Sequence, residues 1–371
     1  MMFSDPIRTT VTVTADGKDI SSDLSPDLLS FSYTDNADGE ADEISLTLKD
    51  PQARWAGAWQ PEAGLTLEAY VTQQGGPHPG TLHCGTFYAD SFRFSSSPTV
   101  ASLRAQSIPM NTPIRRKKKS RAWEKKSFRD IAAQIAGENG LALVWDAPDG
   151  EALDRRDQNE QSDLEFITRL AEEGGMAVKV DDTRLVIYGK EAYEQKAPAD
   201  TLTLYVSPLS SWEFSAEHSE RYKSVTVKYR DPQKKSRKSA ASKSTQEGGA
   251  ADSNPAVNSY TATDDKAGES AQEYEEKTRA KSPDEARRMA EAKLRQLNER
   301  SIRGSISMLG DTSKAAGQVI ALAGFGVFSG NWIIERATHD VSGSGYVTRL
   351  DIRKVQKSKG ASEGAREEGE K

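Results

Sequence analysis

The residues able to do chemistry are few, and spacing decides what each group is for. A metal site needs His, Cys or carboxylate ligands converging at set intervals. The stretch "HPGTLHC" supplies His78, His83 and Cys84, but it matches no zinc spacing, and Pro77 and Pro79 place His78 in a turn. His218 and His339 stand alone, as structural or exposed histidines do. A serine nucleophile sits on a G-x-S-x-G turn between a strand and a helix. Ser344, between Gly343 and Gly345, belongs instead to a polar hairpin turn. "GFGVFSG" (Gly324–Gly330) has the wrong spacing for a dinucleotide loop and no βαβ unit around it, so it reads as a turn at a strand edge. Paired carboxylates would mark a cell-wall glycosidase. Glu172-Glu173 falls at a helix end and Asp181-Asp182 in a hairpin turn, both ordinary solvated positions. No catalytic, metal or cofactor site is expected.

One cluster carries more weight. Arg115, Arg116, Lys117, Lys118, Lys119, Arg121, Lys125 and Lys126 surround a single acid, Glu124, and one aromatic, Trp123. DNA binding is one reading of such a run, but stacking platforms use several aromatics. Contact with an acidic protein partner is the favoured reading, and a plain exposed connector stays open. The net charge of −6 over 371 residues argues against a general nucleic-acid binder, which needs a basic surface. Charged residues make up 29% of the chain and apolar ones 36%, so long solvated segments are expected. One cysteine allows no internal disulfide and points to a reducing compartment. No signal pattern is visible, and no apolar run approaches the roughly 20 residues that span a bilayer. Synthesis and assembly in a cytoplasm follow, with export inside a particle as one route out.

The elements that would hold these residues are legible from periodicity. Through about residue 113 the chain alternates as short strands: "TTVTVTADGKDI", "LLSFSYT", "EISLTLK", "LTLEAYV", "TFYADSFRF" and "VASLRAQ". Antiparallel strands with one apolar face favour a closed barrel or a sandwich, which removes exposed edges. Residues 114–198 change character and read as a small α+β unit. Ser127 caps a helix with Asp130 three residues on, and Ser162 caps another with Glu165. Leu164, Ile167, Leu170 and Ala171 form the apolar face of the second helix, Gly174 stops it, and "MAVKV" and "RLVIYG" pair as a hairpin. Strands return from 199 to 355. They are interrupted by a Ser-, Ala- and Lys-rich stretch at 231–258, predicted to be a flexible loop, and by a helix at 283–299 with Ser282 as cap and Pro283 at its first position. The tail, 356–371, is polar and predicted to be disordered.

The two strand-rich regions echo each other. "FSYTDNADGEADEISLTLKDP" is matched by "WEFSAEHSERYKSVTVKYRDP". "AGLTL" is matched by "AGQVIAL", and "GTFYADSFRFSSSPTVASLRA" by "GNWIIERATHDVSGSGYVTRLDI". A duplication predicts two related β-barrels, with the α+β unit between them and the loop and long helix inserted in the second.

The order of these pieces resembles the phage late control protein D family, the baseplate hubs of contractile tails, whose fold is shared by the hub portion of type VI secretion spikes. The stretches carrying the resemblance are "SRAWEKKSFRDIAAQIAGENGLAL", "QSDLEFITRLAEEGGMAVKVDDTRLVI", "SVTVKYRD", "SPDEARRMAEAKL" and "FGVFSGNWIIERATHDVSGSGYVTRLDI". The resemblance implies a non-enzymatic structural protein of mainly β, α+β class with two tail-tube-like barrels. It implies a homotrimer that joins a sixfold tail tube to a threefold central spike in the virion baseplate. The tape measure and other baseplate proteins are further expected partners. Neither a cofactor, a specific nucleic acid nor membrane insertion is implied. Two rival readings stay open: a cell-wall hydrolase component, and a DNA-binding module using residues 115–126.

Overall fold

The computed structural model describes residues 6–108, 112–150, 153–181, 183–217, 221–230, 257–264, 267–268, 271–280 and 282–355. The expected loop lies outside these residues except at its end, and the expected tail lies outside them entirely. The chain is mainly β. It begins with β1 (Arg8–Ala15), β2 (Lys18–Asp19), the short helix α1 (Ser21–Leu24), β3 (Leu28–Asn36), β4 (Glu43–Lys49), β5 (Thr66–Gln74), β6 (Gly80–Ser95) and β7 (Val100–Gln106). In β4, Ile44, Leu46 and Leu48 alternate inward, and in β5 Leu67, Ala69 and Val71 do the same. This period-2 burial is what the sequence pattern specified. These side chains form one core with Phe31, Tyr33 and Phe87.

Next come α2 (Pro113–Arg116), β8 (Lys119–Lys126), α3 (Phe128–Glu138), β9 (Ala142–Asp146), β10 (Leu153–Gln161), α4 (Asp163–Glu173), β11 (Met176–Val180), β12 (Arg184–Gly189) and α5 (Lys190–Glu194). The capping boxes expected at Ser127 and Ser162 are present, and Ser282 Oγ accepts from Glu285 N at the start of the later helix. Ser127 Oγ accepts from Asp130 N, Ser162 Oγ accepts from Glu165 N, and each acid returns a bond to its cap. Phe166, Ile167, Leu170 and Ala171 of α4 are buried against Ile131 and Ile135 of α3 and Leu185 and Ile187 of β12. Ser162→Ala is expected to cost about 1 kcal/mol in a denaturant titration, the usual worth of an N-cap.

Among the described residues nine strands and one α-helix follow: β13 (Asp200–Thr203), β14 (Leu209–Ala216), β15 (Tyr222–Arg230), β16 (Val257–Thr263), β17 (Gln272–Ala280), α6 (Pro283–Asn298), β18 (Ile302–Leu309), β19 (Val319–Ala323), β20 (Gly330–Ser342) and β21 (Gly345–Lys354).

The sheet topology departs from two separate barrels. Among the described residues no sheet closes on itself. One 13-stranded sheet runs in the order β14-β18-β21-β20-β3-β4-β7-β6-β5-β1-β2, with β19 beside β20 and β13 beside β19. The two strand-rich regions are therefore halves of one sheet, joined where β20 pairs antiparallel with β3 over Arg336–Ser342 and Asn36–Ser30. Each strand finds its missing neighbour in the other half, which removes an open edge without closure.

The echo survives, but one of its matches does not. β15, containing "SVTVKYR", is not the counterpart of β4. It lies in a separate three-stranded sheet, β16-β15-β17, packed on α6 through Val225, Val227, Ala286, Ala290 and Leu294. The counterpart of β4 is β18. Leu28 faces Leu48 across a bulge just as Leu209 faces Met308. β6 is bulged at Asp90 and β20 at Glu335, each five residues after a glycine of φ +114° (Gly85) or +116° (Gly330). Gly64 N–H donates to Ala89 O at 2.9 Å, and Gly317 N–H to Ile334 O at 2.8 Å. Asp50 N–H donates to Thr99 O, and Gly310 N–H to Tyr346 O. The order β3-β4-β7-β6-β5 is thus repeated as β14-β18-β21-β20-β19. What separates β14 from β18 is the whole three-stranded sheet and α6, more than the loop and helix expected there.

Candidate assembly interface

The seam between the halves is built from buried polar groups as well as apolar ones. His339 and Tyr33 are opposed across it, rings stacked at 5.9 Å and 16°. His339 Nε2 donates to Lys314 O at 3.1 Å, since a carbonyl can only accept, so Nδ1 accepts from the Tyr346 hydroxyl at 2.7 Å. Burial pushes His339 down to about 4. Asp35 accepts from Lys179 Nζ at 2.7 Å and from Ala316 N at 2.8 Å. Lys179 also stands 3.0 Å from Asp42, and Tyr188 donates to Ala37 O at 3.0 Å. Residues of β11 and β12 therefore clamp the seam from one side. On another, Arg353, 5% exposed, lies 2.7 Å from Glu194, 3.3 Å from Glu299 and 3.0 Å from Glu335. Buried charges of this kind are retained where they fix one arrangement of parts, here four stretches of chain about one seam.

The repeat leaves two edges that the seam does not use. β6 pairs with β7 over Tyr88–Ser95, while β5 covers its other edge only up to Tyr88. From Ser91 onward that edge has no strand partner among the described residues. Among the described residues β14 pairs only with β18. Phe94 on β6 is 47% exposed and Trp212 on β14 is 42% exposed.

The basic run does not form one patch. In β8, alternate residues point inward. Lys119 lies 2.6 Å from Asp163 and 3.1 Å from Glu138. Arg121 lies 2.9 Å from Asp163 and 2.8 Å from Glu138. Trp123 is buried beneath Arg121 at 4.2 Å and Lys126 at 5.3 Å. Arg115 reaches Gln106 Oε1 at 3.2 Å. Arg116, Lys117, Lys118 and Lys125 remain exposed. Sequence reasoning missed Asp163, the buried acceptor of this cluster. An acid at the first position of a helix ordinarily complements the dipole from the surface, so nothing local marked it as buried.

The other flagged groups do not converge. His83 stacks on Tyr70 at 4.6 Å and contacts Glu68 at 3.0 Å, while neighbouring Cys84 points into the core. His78 is 3.7 Å from Asp311. Asp181 accepts from the backbone N–H of Thr183 and Arg184, the ordinary work of a turn aspartate. Glu173 pairs with Arg169 at 2.9 Å. His218 and Asp182 lie outside the described residues, as does the string Gly360–Gly364, which fits G-x-S-x-G by letters alone. Among the described residues no group of three His, Cys, Asp or Glu side chains is placed to hold a metal, and no helix is long and apolar enough to cross a membrane.

Comparison with known proteins finds relatives along most of the chain. The model of the family described as "Phage tail baseplate hub (GPD)" matches residues 100–345. A probable baseplate hub protein of Escherichia phage 186 is 25% identical over 92% of this chain and 91% of its own length. A probable baseplate hub protein of Escherichia phage P2 is 30% identical over 51% of this chain and 48% of its own. The fold is similar to that of the 43 kDa tail protein of prophage MuSo2 from Shewanella oneidensis. The TM-score is 0.67 at 13% identity, covering 93% of this chain and 98% of that one. With two thirds of its length matched by one family model, the chain belongs to the phage tail baseplate hub (GPD) family.

Proposed function

We propose that this hub protein is a homotrimer that adapts the sixfold symmetry of the tail tube to the threefold symmetry of the central spike, as a structural part of the baseplate without enzymatic activity. The observation that carries this reading is the repeat. Two β units of the same strand order and register stand side by side in one chain, so three copies present six similar units around an axis. A tube of six subunits can stack on such a ring, while the parts that differ between the units repeat only three times and suit a spike of three chains. Rings of this kind close through heterologous contacts.

Within this reading residues 1–113 and 199–355 supply the two tube-like units, each a sector of a barrel that only the ring completes. Residues 114–198 form a rigid spacer held by the Asp163 cluster. The exposed Arg116, Lys117, Lys118 and Lys125 face an acidic surface of a neighbouring baseplate or tape-measure protein. The absolute mass of the purified protein tests the central claim. A trimer of about 122 kDa, three times 40.6 kDa, is expected by light scattering. A chain that stays monomeric, alone and with a co-expressed spike, refutes it.

A further inference from the structure

We propose that the α+β unit, residues 114–198, is held on the rest of the chain by an electrostatic latch and undocks as a rigid body when the latch is screened. The inference goes beyond the trimeric reading and does not depend on it. The unit stays rigid within itself, and its attachment is the part that opens.

The unit has a core of its own. Its buried apolar side chains, among them Ile131, Phe166, Ile167 and Leu185, form one cluster. Among the described residues, beyond Ile108 where the chain enters, only the half-buried Ala41 joins that cluster from outside. None of the other three cores includes a residue of 114–198. What crosses the boundary is polar. Lys179 of β11 lies 2.7 Å from Asp35 and 3.0 Å from Asp42. Lys190, at the start of α5, lies 3.1 Å from Asp38 and 3.6 Å from Glu299. Glu194 lies 2.7 Å from Arg353, and Glu191 lies 3.0 Å from Arg295 of α6. Where the end of α4 meets α6 the contact is between small residues, and a Cβ at Gly175 would stand 3.3 Å from that of Ala292.

An ionic boundary opens more readily than an apolar one. Separated charges regain the hydration that docking removed, which offsets much of the lost pairing. Apolar surface gains nothing comparable from water. Polar boundaries are where the domains of one chain move against each other, and such openings precede unfolding of the units they join. Much of this latch is also within reach of salt. The side chains of Lys179 and Lys190 are 28% and 22% exposed, and those of Asp38 and Glu191 are 40% and 47% exposed. Between α5 and the first strand of the second β unit, residues 195–199 lie outside any helix or strand and can absorb the rotation.

Thiol labelling of the full-length chain tests this. Ala177 is 3% exposed. It shares the boundary face of β11 with Lys179, while Val178 and Val180 turn into the unit's own core. In an Ala177→Cys chain the new thiol should react with N-ethylmaleimide, a neutral reagent, each time the unit undocks. The native Cys84, buried in the core of the first β unit, should react only when that unit unfolds. Raising sodium chloride from about 0.1 M to about 1 M shortens the screening length from about 10 Å to about 3 Å and should speed labelling at position 177 about tenfold, with Cys84 unchanged. Adding Lys179→Met and Lys190→Met should speed labelling at 177 in low salt. If that variant unfolds, which faster labelling of Cys84 would reveal, the salt series on the Ala177→Cys chain decides alone. Labelling at 177 that ignores salt, or that rises only in step with Cys84, overturns the proposal and leaves the trimeric reading untouched.

Discussion

Asp163→Ala is expected to lower the unfolding free energy by about 3–5 kcal/mol, the cost of removing one partner from a buried ionic cluster. The Asp163 side chain is fully buried. It accepts from Lys119 at 2.6 Å, Arg121 at 2.9 Å, Gln158 at 3.0 Å and Asn139 at 3.2 Å. Burial opposes its charge, but these hydrogen bonds outweigh burial and hold its carboxyl below the usual range. Alanine would leave two cations and two amides facing a void. Removing the cations as well, with Lys119→Met and Arg121→Met in the same chain, should recover part of the loss, since an apolar cluster of similar volume is often as stable as the ionic one. Denaturant unfolding followed by tryptophan fluorescence measures this, because Trp123 stacks on Phe166 at 6.2 Å beside the cluster. A change below about 1 kcal/mol would put Asp163 in the class of surface ion pairs and contradict the reading. The same cluster sets an acid limit. Glu138 is held at about 2: burial opposes its charge, but Gln134, Arg121 and Lys119 outweigh it. Its contribution is therefore present above its unfolded value of 4.5 and is lost as pH falls towards about 2.

A second large effect is expected at the seam. His339 is buried and neutral, with its pKa pushed from 6.5 to about 4, chiefly by burial. A depressed folded pKa means that the unfolded chain takes up a proton the folded one refuses. The stabilisation is thus complete above pH 6.5 and is lost as pH falls from 6.5 to about 4. At about 1.4 kcal/mol per pKa unit the loss is about 3 kcal/mol. His339→Gln, which does not titrate, should flatten the stability profile over this window. Equal slopes in the two proteins would assign the pH dependence to another group. Because His339 lies where β20 meets β3, the effect should be seen as loosening between the two halves of the sheet, read by hydrogen exchange along Arg336–Ser342.

Local order was legible in the sequence wherever one signal sufficed. Ser127 and Ser162 with their acids three residues on, Gly174 at a helix end, and the alternation in β4 and β5 act within a few residues, and all appear as read. Strands without an apolar period were not visible. β8, β10 and β17 read "KSRAWEKK", "LDRRDQNEQ" and "QEYEEKTRA", and only pairing partners distant in sequence make them strands. The mistaken counterpart of β4 has a related cause. "SVTVKYRDP" resembles "EISLTLKDP" in letters, whereas the true counterpart has Gly304 where the first unit has Ile44. The missing volume is filled by Phe214, whose ring would stand 2.3 Å from any Cβ at that glycine. Packing across two strands preserved the repeat while the letters diverged.

By itself, then, the sequence determined the class of the protein, its capped helices, its alternating strands and its family resemblance. All of these are written in residue type and short-range spacing. Tertiary structure alone decided that the two β units share one sheet, that Lys119 and Arg121 of the basic run are spent on the buried Asp163, and which edges stay open. Each of these depends on which distant partner a strand or charge finds, and pairing between residues hundreds of positions apart leaves no periodic trace along the chain.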